Sequence, residues 1–412
     1  MITSRTVLAA SRRRPPFRRP ATSNRMSSLV FAVASLLLAA LIGLVVVSPA
    51  PGHHRPGHGG GSGGGGGGAS GNWTRTGDPI FNEGAADGRG TTMADGRVLL
   101  AGNGRTNAEI YDSATGRWRA TASMPDARTN NVIVGLRDGR VLVANGDDYI
   151  FGTPTSAWLF DPTTETWSAT GSPLATRRIA IGALLNDGRV LVVGEPPGPG
   201  FPFAEVYDPA TGTWSATGPM VSPRTPDTAT TLLDGRVLVV GNELHGPELY
   251  DPVSNSWATA ASLQTPRASH RAARLADGRV LVAGGFADRF GVDALDRVEI
   301  YDPAANTWTP AANLNVARTF GHSATTLADG RVLVAGGGDE RLPLGEQYLA
   351  SAELYNPATN TWTMTRSMTV ERLSHFAVLL TNGKVLAAGG ADNEDIRTGN
   401  GIAGETAELF TP

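Results

Sequence analysis

Cysteine is absent from all 412 residues, which excludes disulfides, thiolate metal sites and cysteine nucleophiles. Charge bias is absent too: a formal net charge of -3 offers no bulk attraction to nucleic acid or to acidic ligands. No nucleic-acid partner is therefore expected. Nor is there a Ser-His-Asp order, a pair of carboxylates at a recognisable catalytic motif, or a glycine loop able to cradle phosphate. What is present is a 41% hydrophobic chain, ample for a large core, with 52 glycines and 27 prolines. Most of these fall at recurring points, where turns need positive or fixed φ, so they punctuate strands rather than mark disorder.

The first 71 residues differ from the rest. Residues 1–27 form a basic tail carrying Arg5, Arg12, Arg13, Arg14, Arg18, Arg19 and Arg25 and no acid. An apolar run from Leu29 to Val47 follows, interrupted by Ser35 and Gly43. At 1.5 Å rise per residue it would span about 28 Å, enough to cross a bilayer. The expectation is an uncleaved transmembrane signal anchor over 28–48. Pro51, directly after Ser48-Pro49-Ala50, hinders cleavage there; a cleaved signal would leave the protein secreted. The arginine excess keeps the tail in the cytoplasm and puts everything after the span outside. Residues 49–71, nearly all glycine after His58, read as a flexible linker of about 25–30 Å r.m.s. span.

From residue 72 onward one spacing recurs. Seven positions separate each aromatic from a tryptophan: Tyr111 and Trp118, Phe160 and Trp167, Tyr207 and Trp214, Tyr250 and Trp257, Tyr301 and Trp308, Tyr355 and Trp362. Ten further on stands an arginine: Arg128, Arg177, Arg224, Arg267, Arg318 and Arg372. After another ten or eleven comes Asp-Gly at Asp138, Asp187, Asp234, Asp277 and Asp329, or Asn-Gly at Asn382. Only the stretch from the strand after that turn to the next aromatic varies in length. Such a chain is a stack of one repeated unit whose variation is confined to one loop.

Each unit carries four strand signals, with Asp-Gly between the first two reading as a type I′ hairpin turn. The turn and the tryptophan each occur seven times, but Trp73 precedes the first turn, at Asp95. The chain thus opens on a fourth strand and ends, at Leu409 and Phe410, on a third. Pairing the two would complete a seventh sheet and remove exposed edges. The expected fold is an all-β, seven-bladed propeller over 72–412, closed by its own N-terminal strand.

Units of about 50 residues with a glycine pair after the second strand, then Tyr-Asp, then Trp, resemble kelch repeats, and seven of them resemble a kelch β-propeller. The WD repeat would need Gly-His and Trp-Asp pairs that are missing. The full glycine pair stands at Gly284-Gly285, Gly336-Gly337 and Gly389-Gly390, whereas Asn145 and Glu195 break it elsewhere. Glu83 in blade 1 and Trp158 in blade 2 depart from the pattern, and distortion is expected at the rims of those blades. Galactose oxidase is an extracellular propeller of this type. The resemblance implies its copper-radical site, but that site needs a tyrosine cross-linked to cysteine, which cannot form here.

Alternating strand directions place the constant turns on one face and the variable loops on the other. The longest loops, residues 286–297, 338–350 and 391–406, carry Asp288, Asp293, Asp296, Asp339, Glu340, Glu346, Asp392, Glu394 and Asp395 over blades 5 to 7. Binding residues usually ride on such loops. His270, His322 and His375 stand seven positions before their turns, at the channel end of three adjacent first strands. They read either as a metal set or as imidazoles bonded between blades. Arg267, Arg318 and Arg372 read either as ligand contacts or as partners of Glu299, Glu353 and Glu408. Arg178, a second arginine after Arg177, resembles the peptide-gripping arginine of intracellular kelch adaptors.

Two functions stay open. One is a membrane-tethered, extracytoplasmic scaffold binding protein or glycan at the cell surface, without a cofactor. The other is a metal-dependent enzyme with its site at the propeller axis near His270, His322 and His375.

Overall fold

The computed structural model describes residues 71–81, 89–102, 105–146, 155–177, 179–198, 200–222, 226–241, 246–287, 293–339, 341–342, 347–393 and 406–412. The basic tail, the apolar run and the linker as far as residue 70 lie outside these. Among the described residues no helix is long and apolar enough to cross a membrane, and every regular element is a β-strand.

The strands form seven four-stranded antiparallel sheets. Their first strands are Arg89–Thr92, Val132–Gly135, Ala180–Leu184, Pro226–Thr231, Arg271–Arg274, His322–Thr326 and Phe376–Leu379. Each packs beside the next and the last beside the first, so they ring one axis. The first six sheets are continuous in sequence. The seventh joins Phe376–Leu379, Val385–Ala388 and Ala407–Thr411 to Asn72–Arg75 from the start of the propeller. In that sheet Trp73 pairs with Phe410, their rings 5.1 Å apart.

Burial follows radial position. Second strands such as Val141–Ala144 and Val190–Gly194 are buried on both faces, which their unbroken Val-Leu-Val runs require. Fourth strands such as Ser256–Thr259 bury little beyond the tryptophan. The core lies between blades rather than within them. In one cluster Val132, Leu142 and Leu159 of blade 2 pack against Val190, Val192, Tyr207 and Trp214 of blade 3. The seven-residue spacing is now explained: every aromatic sits directly across from its tryptophan, from Tyr111↔Trp118 to Tyr355↔Trp362.

The Asp-Gly turns depart from the expected type I′ geometry. Gly96 has φ of 85°, but Asp95 is not among the residues with positive φ. Gly96 N–H donates to Met93 O at 3.0 Å and Met93 N–H to Arg97 O at 2.8 Å. This is a three-residue loop, a type I turn followed by one left-handed glycine. Asp95 Oδ1 accepts Arg97 N–H at 3.0 Å, a bond that asparagine supplies equally well where Asn382 accepts from Lys384. The arginines after these turns are paired locally. Arg97, Arg140, Arg189 and Arg236 pair with their own turn aspartates and reach Pro162, Pro209, Pro252 and Pro303 carbonyls in the next blade.

Tryptophans link blades as well. Trp167, Trp214, Trp308 and Trp362 donate Nε1–H to Ala122, Gly171, Ala261 and Ala312 carbonyls, and Trp257 to Thr217 Oγ1. Trp73 and Trp118, the two indoles flanking the seam where the propeller's first and last strands meet, are buried without such a partner among the described residues.

Candidate binding surface

At the base of five of the seven variable loops the described residues include a buried guanidinium. Arg318 donates to Gly336 O at 2.6 Å, Ser351 O at 3.0 Å and Glu353 Oε1 at 3.2 Å. The two carbonyls lie where the second strand ends and the third begins, so one side chain pins both ends of the loop. Arg267 and Arg372 repeat the arrangement with Glu299 at 2.7 Å and Glu408 at 3.1 Å. Each glutamate in turn accepts backbone N–H groups from the crossover, as Glu353 does from Asn315 at 2.7 Å and Val316 at 3.0 Å. Burial weakens the hold of Arg267, Arg318 and Arg372 on their protons, and the paired glutamates oppose it. All three arginines are buried and aimed at the loop bases. Arg178 lies outside the described residues.

Blade 2 holds its loop base with a different acid. Trp158 occupies the glutamate position, and the carboxylate is supplied by Asp126, two residues before Arg128. Asp126 accepts from Arg128 Nε at 2.9 Å and Trp158 Nε1 at 2.9 Å, and also from Ser156. In blade 1, Glu109 accepts from Ile80 and Phe81 N–H at 2.6 and 3.2 Å, and burial raises its carboxyl above the usual range. Glu83, in the arginine position, lies outside the described residues.

The described parts of the long loops over blades 5 to 7 are bridged to the scaffold. Phe286 bridges both Ala268 and Ala294; Leu295 bridges Arg318, Gly338 bridges Tyr348, and Leu373 bridges Ala391. Neighbouring loops also clasp each other. Tyr348 N–H donates to Asn393 Oδ1 at 2.9 Å, and Asn393 Nδ2 donates to Tyr348 O at 3.0 Å. Asn393, itself buried, was not expected as a site residue; no local pattern marks it. Asp339 is also buried, its carboxylate held by Arg341 at 2.8 Å. Burial pushes that carboxyl up, but Arg341 and Arg318 bring it below its ordinary range. Asp392 is half-buried, Asp296 half-buried and Asp293 exposed. Asp288, Glu340 and Glu394 lie outside the described residues.

The three histidines are not gathered as a ligand set. His270 Nε2 lies 3.1 Å from Thr228 Oγ1, His322 Nε2 3.1 Å from Ala283 O, and His375 Nε2 3.0 Å from Ser323 Oγ, each partner being in the preceding blade. Among the described residues no three His, Asp or Glu side chains come together to hold a metal. Each Nε2 is engaged between blades, while each Nδ1 is buried without a hydrogen-bond partner among the described residues. Burial first, then nearby arginines, lowers His270 and His375 to about 3 and holds His322 well below its ordinary value.

The kelch motif matches at residues 267–315 and 320–369, which are blades 5 and 6 with their crossovers. Kelch-like protein 28 of Mus musculus is 36% identical over 104 residues, 24% of this chain and 18% of that protein. An F-box/kelch-repeat protein of Arabidopsis thaliana is 38% identical over 93 residues, 23% of each. Galactose oxidase of Gibberella zeae is 32% identical over 73 residues, 18% of this chain and 10% of that enzyme. The chain thus spans under a quarter of the length of these relatives. A copper-bound fungal alcohol oxidase of the AA5 family superposes with a TM-score of 0.70 at 19% identity, covering 83% of this chain and 76% of its own, a likeness of fold alone. Two blades match the kelch motif outright and the other five repeat their aromatic-tryptophan register, so the chain is a seven-bladed β-propeller that carries kelch motifs.

Proposed function

We propose that this propeller is a recognition scaffold, tethered to the membrane through residues 28–48 and facing outward, that binds a protein or glycan through its variable-loop face. The observation that carries the binding reading is the interlocking of the loops of blades 5 to 7. Backbone bridges and the Tyr348–Asn393 clasp hold the described parts of these loops in place, which lowers the ordering cost of binding there. The relatives' names support a kelch repeat, and a repeat of this kind presents loops from a rigid body. Replacing Asp293, Asp296 and Asp392 together by asparagine is expected to reduce capture of cell-surface protein or glycan at least tenfold with the fold intact. A control replacing Arg140, Arg189 and Arg236 by glutamine, on the opposite face, should leave capture unchanged. Equal capture by both variants would move the binding surface elsewhere.

The tether has its own test. Full-length protein should resist alkaline extraction from membranes, with the propeller digested by externally added protease. Recovery of the intact chain in the soluble fraction overturns it.

In this reading the strand Asn72–Arg75 serves as the latch that keeps the platform closed. Trp73→Ala removes a buried indole packed on Phe410 and is expected to cost about 3–5 kcal/mol, read from the denaturant midpoint. A loss under about 1 kcal/mol, within the range of ordinary surface changes, would argue against a latch.

A further inference from the structure

Inside the ring of first strands the described residues carry four charged side chains, Arg89, Asp227, Arg271 and Arg274. Three are cations. Arg271 opens its strand opposite Ala283, and Arg89 opens its own opposite Ala101, so the two stand at the same level, at the loop-face end of the channel. Arg271 bears on His270 in its own blade, His322 in blade 6 and His375 in blade 7; Arg89 of blade 1 and Asp227 of blade 4 bear on it. A side chain felt from five of seven blades reaches toward the axis.

Its surroundings leave this guanidinium under-used. Arg271 Nη1 donates to His270 O at 3.1 Å, and among the described residues that is its one hydrogen bond. Among the described residues no carboxylate is within ion-pair distance of it, in contrast to the described loop-base arginines, each of which has one. A guanidinium offers five N–H donors in a planar fork matched to an oxyanion. Burial, then the like charge of Arg89, destabilises the cation, against the pull of Asp227. The three imidazoles around it are neutral at physiological pH and supply no counter-charge.

We propose that the loop-face mouth of the central channel is a seat for a single oxyanion group (carboxylate, sulfate or phosphate), gripped by Arg271 with Arg89 across the channel. The seat rests on the loop face being the binding face, and it names the chemistry of the group that would enter.

Purified full-length protein in detergent would be titrated calorimetrically, at low ionic strength, with inorganic sulfate, inorganic phosphate and glutarate separately. At least one should bind saturably at one per chain, and comparing the three arms identifies the oxyanion. Arg271→Gln is expected to weaken that binding at least tenfold and Arg89→Gln at least threefold, while Arg274→Gln, at the other end of the strand, leaves it unchanged. Because Arg271 has no ion pair to lose, Arg271→Gln should match the wild-type denaturation midpoint without anion and lose the upward shift that the anion gives wild type. Should Arg271→Gln not fold, Arg271→Lys keeps the charge but loses the fork, and at least threefold weaker binding is expected. Absence of one-to-one binding in all three arms, or unchanged binding in the Arg271 variant, overturns the seat. Anion binding that depends on Arg271 without any macromolecular partner would keep the seat and overturn the scaffold reading; capture without anion binding would do the reverse.

Discussion

Glu353→Ala is expected to lower the unfolding free energy by about 3–5 kcal/mol, the usual result of removing one member of a buried ion pair. Four donors converge on this fully buried carboxylate: Asn315 N–H at 2.7 Å, Asn315 Nδ2 at 2.8 Å, Val316 N–H at 3.0 Å and Arg318 Nη2 at 3.2 Å. Alanine leaves Arg318 as an uncompensated buried cation and the crossover amides without their acceptor. Glu353→Gln keeps the shape and one acceptor oxygen, so its loss should be smaller. Glu109 provides an internal comparison, since it holds its crossover by two N–H bonds and is destabilised as an anion by burial. Glu109→Gln should therefore cost less than Glu353→Gln. Guanidinium unfolding midpoints check the order, and a Glu353→Ala loss below about 1 kcal/mol would mean the loop base is held by packing alone.

Acid should unfold this propeller steeply, starting above the range in which carboxylates titrate. His270 and His375 are lowered to about 3, and His322 lies well below 6.5. In the unfolded chain all three return to about 6.5. Between those limits the unfolded state binds protons that the folded state refuses, so stability falls as pH drops through 6.5 and continues to fall toward 3. Above 6.5 both states are neutral at these rings and the contribution is flat. Each proton is worth about 1.4 kcal/mol per pH unit, so three give a limiting slope of about 4 kcal/mol per pH unit. Urea unfolding from pH 7 to 4.5 measures it before the depressed turn aspartates begin to protonate. His375→Gln, which retains a side-chain amide to meet Ser323, should remove about one proton from the slope. A slope near zero over that interval would show that these rings are protonated in the folded protein.

Much of this was legible in the spacing, because the repeat is a statement about register. An aromatic seven before a tryptophan around a four-residue turn has one antiparallel pairing, and all six such pairs adopt it. The arginine and the glutamate two before the aromatic were also legible, since a buried guanidinium needs a carboxylate. Blade 2 shows why a repeat read position by position falls short: Asp126 reaches the same point in space from a different strand connection. The turn geometry was misjudged because Asp-Gly is compatible with two hairpin types. Only the residue before it, which joins the loop as in Ala94-Asp95-Gly96, decides between them. The direction of the imidazoles depended on what the preceding blade offers, a hydroxyl at Thr228 and Ser323 and a carbonyl at Ala283, which no one repeat contains. Arg271 is not legible in any one repeat for a related reason. Its neighbours come from five blades, and a cation's lack of a partner is visible only once every possible partner has been positioned.

The seam also has a mechanical consequence. Asn72 and Thr411 face each other at the open end of their ladder, next to the indole of Trp73, whose N–H has no partner among the described residues. Tension between the two chain ends would therefore peel that ladder one rung at a time instead of shearing four rungs together, and the blade sewn from both termini would yield first. A pull applied through the interior of any other blade meets a covalent turn at that point. Where load enters, and not only how strongly each sheet is packed, sets the force at which the ring comes apart.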